Sequence, residues 1–262
     1  MLKLLATDFD GTSIGYTPHE SCVDCLALAL EKIKNDEIVW SINTGRDFLY
    51  LLEGLEYFNA PVEPDYIITS ERHLYRHDKK KGWKPFEEWN RHCDSLHAEL
   101  FRKSGRFFEQ IKNLIAQYSD ETTLLENHDG VPEMLIAEKE ELLDEIVLQV
   151  DSLPHRPNNF SFQRSSHYMR FCHKHYDKGK VLRELSSLLS LQANNILAIG
   201  DHYNDLSMLD GEVASMVACP SNAHREVKAI VQKANGRISQ YEAGEGTAEA
   251  IHYYYQKFNK KK

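Results

Sequence analysis

The stretch LKLLATDFDGT, residues 2–12, gives the strongest indication of the fold and places two acids where a ligand would bind. Leu2–Thr7 is largely apolar and predicts a buried strand, and Asp8 and Asp10 follow it directly. Open α/β folds bind ligands at the carboxyl ends of their parallel strands. The two carboxylates point the same way if the strand continues, and Gly11 lets the backbone turn closely past a phosphate. Because Asp-Gly is also a common turn pair, the stretch alone fits a strand-ending turn equally well.

Apolar strands and helices alternate on both sides of the middle of the chain. Short buried strands separated by single helices are typical of parallel crossovers. The predicted strands cover residues 2–7, 38–43, 64–69, 195–200 and 213–218, and the predicted helices cover residues 23–34, 47–57, 179–191 and a segment that starts within 204–209. The pattern predicts an α/β fold built on a Rossmann-like, doubly wound parallel sheet.

The middle of the chain is different in character, because it is rich in charge and studded with aromatic residues. It contains two predicted helices, residues 107–118 and 139–150, and two predicted strands, residues 159–163 and 167–171, whose separation is compatible with a hairpin. We therefore predict a discontinuous core, residues 1–78 and 176–262, that is interrupted by an inserted α+β cap domain, residues 79–175.

Composition excludes several classes of protein. The 262-residue chain has a net charge of −9 and a pI near 5.8, which disfavours nucleic-acid binding, and it lacks a run of apolar residues long enough to span a membrane. The apolar N-terminal run ends at Asp8, too early for a secretory signal, and five cysteines are an odd number, so we expect a cytoplasmic protein without a disulfide framework. Cys22 and Cys25 form a C-x-x-C pair, and we expect both to be buried by helix packing rather than used for redox or metal chemistry.

Three further polar groups accompany Asp8 and Asp10. They are Thr44-Gly45-Arg46 after the second strand, Lys178 before the late helix, and Gly200-Asp201-His202-Tyr203-Asn204-Asp205 after the late strand. Since these groups follow or face strand ends in the same way, we expect them at one edge of the sheet.

In order and setting, these groups resemble the four motifs of the haloacid dehalogenase superfamily: a D-x-D-[GT] strand end, a Ser or Thr after a second strand, a Lys, and an acidic G-D-x-x-N-D type loop. The resemblance covers the core, and the position of the insert resembles the type IIB cap of Cof-like and sucrose-phosphatase-like members. Ser13 stands where relatives commonly carry Leu, and His202 stands where Gly or Ser is frequent. Neither departure removes a catalytic group. His202 fits a substrate contact, a residue that tunes the local charge, or a loop residue without function.

The resemblance implies four catalytic residues. Asp8 would attack phosphorus and form an aspartyl-phosphate, and Asp10 would serve as general acid and then as general base. Thr44 would hydrogen-bond a phosphoryl oxygen, and Lys178 would neutralise the nucleophile and the phosphate. Lys180 is the rival for the lysine role, and either lysine also fits a solvated helix start.

The resemblance also implies a Mg²⁺ site. Its side-chain ligands would be Asp8 and Asp201, with the backbone carbonyl of Asp10 as a further ligand and Asp205 holding the ion or its waters. Oxygen donors without a His/Cys cluster suit a hard cation. Asn204 would order the same loop, although Asn204 or Asp205 also fits a helix cap.

Substrate contacts are expected from the motifs and from the insert. Thr44, Gly45, Arg46, Lys178 and Asn204 are the candidates in the core. Specificity is expected from the insert, where the donors are Arg156, Arg164, His167 and Arg170.

Together these observations predict a Mg²⁺-dependent phosphomonoesterase that acts on a small phosphorylated metabolite, such as a sugar phosphate, as a monomer or small homo-oligomer. Two enzyme alternatives are a phosphotransferase or phosphomutase, disfavoured by the short segment between Thr12 and Thr44, and a nucleic-acid end-processing phosphatase, disfavoured by the acidic charge. A non-catalytic phospho-ligand-binding protein is the alternative from another class, and the complete set of acids argues against it.

Overall fold

The computed structural model describes residues 1–15, 23–58, 62–127 and 130–259. The chain divides into two compact units. We call residues 1–90 with 177–262 the core unit and residues 91–176 the insert unit.

Strands and helices follow one another through both units. The strands are β1 Leu4–Thr7, β2 Val39–Asn43, β3 Tyr66–Thr69, β4 His73–Asp78, β5 Gly82–Pro85, β6 Thr122–Glu126, β7 Pro132–Ala137, β8 Phe160–Ser165, β9 Tyr168–His173, β10 Ile196–Ile199, β11 Met216–Cys219 and β12 Arg237–Ile238. The α-helices are α1 Val23–Asn35, α2 Phe48–Phe58, α3 Glu87–Lys103, α4 Gly105–Ile115, α5 Glu140–Ser152, α6 Lys178–Leu188, α7 Leu206–Leu209, α8 Arg225–Lys233 and α9 Ala243–Asn259. None of the described helices is both long enough and apolar enough to cross a membrane.

The core unit is built on an eight-stranded sheet in the order β12-β11-β10-β1-β2-β3-β4-β5. The six strands from β12 to β3 are parallel, and β4 and β5 extend the β3 edge in antiparallel fashion. Apolar clusters cover both faces: Leu5 and Trp40 belong to one, and Leu4 and Ile196 to the other. Burial on both faces explains why the parallel strands are almost continuously apolar.

The insert unit is built on a four-stranded antiparallel sheet in the order β6-β7-β9-β8. Residues of α4 and α5 pack with one face of this sheet, and the shared cluster includes Phe107, Ile146, Leu135 and Phe171. Alternate residues of a strand point to opposite faces, so Arg170 lies on the face opposite Phe171.

The α/β fold class is confirmed, and so is the hairpin, formed by β8 and β9. The structure adds β4 and β5, which the sequence reading left unassigned, and β11 begins three residues after the start of the predicted strand 213–218. The compact units divide at 90/91 and 176/177, while the predicted cap domain, residues 79–175, stays a prediction.

The burial predicted for the first helix was wrong at Cys25, which is exposed. The buried positions of α1 are Leu26, Leu30 and Ile33, at the i, i+4, i+7 spacing of one helix face. Cys25 precedes Leu26 by one residue, about 100° around the helix, and therefore faces away from the core. Cys22 lies outside the described residues.

Candidate active site

Asp8 is the first residue after β1 and only 4% exposed. Its backbone N–H donates to the carbonyl of Ile199 (2.9 Å), which holds it in line with the neighbouring strand β10. Its Oδ1 accepts from the backbone N–H of Phe9 (2.7 Å), and its Oδ2 lies 2.8 Å from Lys178 Nζ. The carboxylate is thus anchored at the carboxyl edge of the parallel sheet, where ligand sites of this fold form.

Lys178, rather than Lys180, lies among the acids. It is the first residue of α6 and fully buried, and its Nζ bridges Asp8 Oδ2 (2.8 Å) and Asp205 Oδ1 (2.6 Å). Lys180 is half-exposed and pairs with Asp177, the N-cap residue of α6. The start of α6 lies close to the backbone of Ser207, and only a glycine fits at position 179, because a Cβ there would lie 2.0 Å from the backbone oxygen of Ser207.

Three buried carboxylates meet at this edge. Ligand oxygens of Asp8, Asp201 and Asp205 all lie within 4.8 Å of one another. Asp201 Oδ1 accepts from the hydroxyl of Thr12 (2.7 Å), while Asp205 Oδ2 accepts from the backbone N–H groups of residues 201 and 202 (2.9 Å each). Gly200 makes this fold-back possible, since a Cβ there would lie 2.4 Å from Asp205 Cγ. Asp205 therefore organises its own loop as well as contacting Lys178.

The charge balance of the cluster favours a cation. Burial raises the pKa of the Asp8 carboxyl well above its usual range, and the negative charge of Asp205 raises it further. Lys178 lowers this pKa, and Asp201 raises it by a smaller amount. Three acids facing one lysine leave excess negative charge in a buried site. The donor set consists of carboxylate oxygens, which suit Mg²⁺. The residues present therefore fit the predicted ion.

Asp10 is held by Arg46. The guanidinium donates to both carboxylate oxygens, from Nε to Oδ2 (2.8 Å) and from Nη2 to Oδ1 (2.6 Å). Arg46 also lies over the rings of Phe9 and Tyr50, at 4.9 Å and 4.2 Å from their centroids. A bidentate pair supported by two rings fixes the orientation of the Asp10 carboxylate.

The turn after Asp10 depends on Gly11, which has a φ of 70°. Two distant residues hold the backbone of this turn: Asn222 donates to the Gly11 carbonyl (2.8 Å), and the hydroxyl of Thr247 donates to the Thr12 carbonyl (2.7 Å). The sequence analysis missed both supporting residues, because neither lies at a recognisable strand end.

Thr44 and Gly45 are buried in the turn after β2. The backbone N–H of Thr44 donates to the carbonyl of Ile68 (2.9 Å), and its hydroxyl accepts from the backbone N–H of Arg46 (3.1 Å). The hydroxyl thereby shapes the turn that carries Arg46. Its predicted phosphoryl contact stays a prediction.

Glu71 is a residue of this region that the sequence analysis missed. It is 2% exposed, and its Oε1 accepts from Asn204 Nδ2 (2.7 Å). Its backbone N–H donates to the Thr44 carbonyl (3.1 Å), so it joins the turn after β2 to the acidic loop. Ser70 and Glu71 have φ values of 49° and 59°, an unfavourable conformation for non-glycine residues that is often retained at functional sites. In the sequence, the one feature that could have indicated Glu71 was its position just beyond the end of β3.

The remaining candidates lie in different surroundings. His202 is 6% exposed, and its Nδ1 accepts from the backbone N–H of Tyr203. In the insert unit, Arg164 pairs with Asp144 and Glu140 of α5, and Arg156 pairs with Asp151. His167 is exposed in the turn between β8 and β9, and Arg170 is partly buried on β9. The predicted roles of these residues in specificity stay predictions.

These features define a class of protein: a parallel-sheet α/β protein with a buried cluster of carboxylates and a lysine at the carboxyl edge of its sheet. The family model of haloacid dehalogenase-like hydrolases matches residues 63–251. The chain belongs to this family, which confirms the resemblance found in its motifs.

Relatives and solved structures agree with this assignment. A protein of Streptococcus pyogenes serotype M6, named "Putative phosphatase M6_Spy0533", is 25% identical over 95% of this chain and 97% of its own. The sucrose-phosphatase of Synechocystis sp. PCC6803 has the same fold, with a TM-score of 0.70 at 16% identity over 97% of this chain and 98% of its own. The sugar phosphatase BT4131, of subclass IIB, has a TM-score of 0.63 at 16% identity over 96% of this chain and 98% of its own. The chain is therefore a phosphatase of the haloacid dehalogenase superfamily.

Proposed function

We propose that the protein is a Mg²⁺-dependent phosphomonoesterase that hydrolyses a small phosphorylated metabolite, a sugar phosphate in the first instance, through an aspartyl-phosphate at Asp8. The observation that carries the proposal is the contact of Asp8 with the fully buried Lys178 inside a cluster of three carboxylates. A nucleophilic carboxylate beside a cation that can also hold phosphoryl oxygens is the arrangement that phosphoryl transfer requires.

The first step forms a bond between an Asp8 carboxylate oxygen and phosphorus and breaks the bond from phosphorus to the leaving alcohol. Asp10 donates a proton to the leaving oxygen. In this structure Arg46 donates to both Asp10 oxygens, which fits the ionised form, so one of these two hydrogen bonds is released when Asp10 carries the proton that it donates. Lys178 stabilises negative charge on the phosphoryl oxygens.

The second step is hydrolysis of the aspartyl-phosphate. Asp10, now ionised, takes a proton from water, whose oxygen attacks phosphorus and displaces the Asp8 carboxylate. Inorganic phosphate is released, and Asp10 regains the proton that it needs for the next turnover. One acid thus serves both steps in opposite protonation states.

Asp8 and Asp201 would hold Mg²⁺ by their side chains and residue 10 by its carbonyl, with Asp205 supporting the loop from its far side. When bound, the ion supplies positive charge that keeps Asp8 ionised and offsets charge on the phosphate. Thr12 orients Asp201 through its 2.7 Å hydrogen bond, and such supporting contacts tune ligand geometry.

A sugar phosphate is the substrate class that the comparisons favour. The fold is shared with a sucrose-phosphatase and with a subclass IIB sugar phosphatase, and the chain has an α+β insert of its own. We propose that hydrogen-bond donors of the insert unit, including Arg170, determine substrate specificity.

The test is phosphate release from a panel of sugar, polyol, nucleotide and cofactor monophosphates with Mg²⁺. Asp8→Asn keeps the size of the side chain and removes the nucleophile, and Asp24→Asn, an exposed position on α1, is the matched control. Activity that disappears in Asp8→Asn and in EDTA, but survives in Asp24→Asn, supports the proposal. Full activity in Asp8→Asn would contradict the covalent mechanism, and full activity in EDTA would contradict the metal requirement.

A further inference from the structure

The insert unit contains a cavity of about 340 Å³ at the start of α4. Its polar lining consists of Lys103, Ser104, Arg106, His155 and Asn159, without an acidic side chain among the described residues that line it. A basic lining is unexpected in a chain whose net charge is −9. The cavity therefore has the charge that attracts an anion.

Ser104 is the N-cap residue of α4 and is only 8% exposed. An N-cap serine normally accepts a hydrogen bond from the second or third N–H of its helix. The Ser104 side chain makes no such bond, and its hydroxyl has no hydrogen-bond partner among the described residues. Ser104 lines the cavity, so its hydroxyl is available to donate a hydrogen bond to a ligand there.

The backbone at the start of α4 offers donors beside the residues that line the cavity, Ser104 and Arg106. The first N–H groups of a helix have no acceptor within it and carry partial positive charge. Those of Gly105 and Arg106 find no backbone acceptor elsewhere in the described chain. A Cβ built on Gly105 would meet no atom within 4 Å, so the surface beside Gly105 is open. Helix starts of this kind bind phosphate groups.

Arg106 supplies the full positive charge. It is exposed and has no ion-pair partner in the part of the chain that the structure describes, whereas Lys103 already pairs with Glu99. A guanidinium can donate two parallel hydrogen bonds to a phosphate. Leu100 and Phe107 form the apolar part of the cavity wall.

We propose that this cavity is a second anion site, which binds a phosphate group through the Ser104 hydroxyl, the first N–H groups of α4 and Arg106. Its occupant is inorganic phosphate or the phosphate of a small monoester. All of its lining residues belong to the insert unit, whereas Asp8 and its partners belong to the core unit. The proposal does not depend on the activity proposed above.

The test is a titration of the ¹⁵N-labelled full chain, followed by the amide resonances of residues 105 and 106. Orthophosphate is added at constant ionic strength, with chloride as the reference anion, and a second titration uses glycerol phosphate with the Asp8→Asn protein, which prevents turnover. Shifts that saturate with phosphate and not with chloride are expected. Comparison of the two titrations identifies the source: tighter binding of glycerol phosphate indicates a monoester, and equal or weaker binding indicates inorganic phosphate.

Three variants sharpen the result. Arg106→Glu should weaken binding by at least about tenfold, and Ser104→Ala by about three- to tenfold, because both remove a donor to a charged group. Arg102→Glu, an exposed position on α3 outside the cavity lining, should bind as wild type does. Ser104→Ala should also leave the melting temperature unchanged, since the hydroxyl has no partner to lose. Shifts that fail to saturate, that chloride reproduces, or that persist unchanged in Arg106→Glu would overturn the proposal.

Discussion

A glycine in the middle of α2 makes room for the side chain that holds Asp10. A Cβ at Gly54 would lie 2.4 Å from Arg46 Nη1 and 2.7 Å from Phe9 Cε1. Both distances are shorter than any normal contact, so the Gly54→Ala variant must displace Arg46. We therefore predict that this substitution acts on the Arg46–Asp10 pair although residue 54 touches neither acid of the proposed mechanism.

The expected magnitude follows from two opposing effects. Replacing a glycine inside a helix by alanine normally stabilises a protein by roughly 0.5–1 kcal/mol. Hydrogen bonds to charged groups contribute about 1.5–3 kcal/mol each, and Arg46 would lose two of them. Because the Asp10 side chain is 35% exposed, solvent replaces part of this loss. We expect a net destabilisation of about 1–2 kcal/mol.

The assay is urea unfolding of four proteins: wild type, Gly54→Ala, Arg46→Ala and the double variant. In the Arg46→Ala background the guanidinium is absent and the Phe9 ring can relax into its space, so Gly54→Ala should stabilise by up to about 1 kcal/mol. Phosphatase activity should fall about tenfold or more in Gly54→Ala, and no further when it is added to Arg46→Ala. If Gly54→Ala changed stability and activity equally in the wild-type and Arg46→Ala backgrounds, the prediction would be wrong.

Substitutions at three other residues test separate parts of the structure. Lys178→Met should lower the free energy of unfolding by about 3–5 kcal/mol and abolish phosphate release, because it leaves the buried carboxylate of Asp8 without its lysine. Urea unfolding measures the loss of stability, and the phosphate assay measures the loss of activity. Glu71→Ala should reduce apparent Mg²⁺ affinity or kcat by about 10–100-fold in a metal titration of activity, since Asn204 loses its acceptor, whereas Glu71→Gln keeps an oxygen there and should retain most activity. Burial of Glu249 would raise the pKa of its carboxyl, but hydrogen bonds from Ser239 and Arg237 outweigh burial and lower this pKa below 4.5. The ionised carboxylate therefore contributes its full stability above pH 4.5, and this contribution is lost as the pH falls through the lowered pKa. Glu249→Gln should flatten the decline of the melting temperature below pH 4.5.

Each of these predictions has an outcome that would contradict it. Wild-type stability of Lys178→Met would show that the lysine is not needed to balance the buried acids. Equal activity of the Glu71 alanine and glutamine variants would separate Glu71 from the acidic loop. An unchanged acid limb in Glu249→Gln would assign the loss of stability at low pH to other carboxylates.

The fold class was predictable from the sequence alone, and the motifs predicted where the candidate site residues lie along the chain. Continuous apolar runs are typical of strands buried on both faces, and such strands in a parallel sheet share one carboxyl edge. Asp8 and Asp201 follow two of these runs, so their convergence was predictable from local patterns. The choice of Lys178 over Lys180 depended on the family resemblance, and the structure places Lys178 among the acids.

The distant residues that support the site could not be predicted from the sequence, because their contacts arise from tertiary packing. Glu71 and Asn204 are separated by 133 positions, and their hydrogen bond depends on how the end of β3 meets the acidic loop. Asn204 was a candidate from the acidic motif, whereas Glu71, which follows a short strand, does not stand out in the sequence. The space at Gly54 likewise exists only because α2 packs against Arg46. Local periodicity reports which face of an element is buried, whereas contacts of this kind depend on sheet order and on the fit of side chains across the fold.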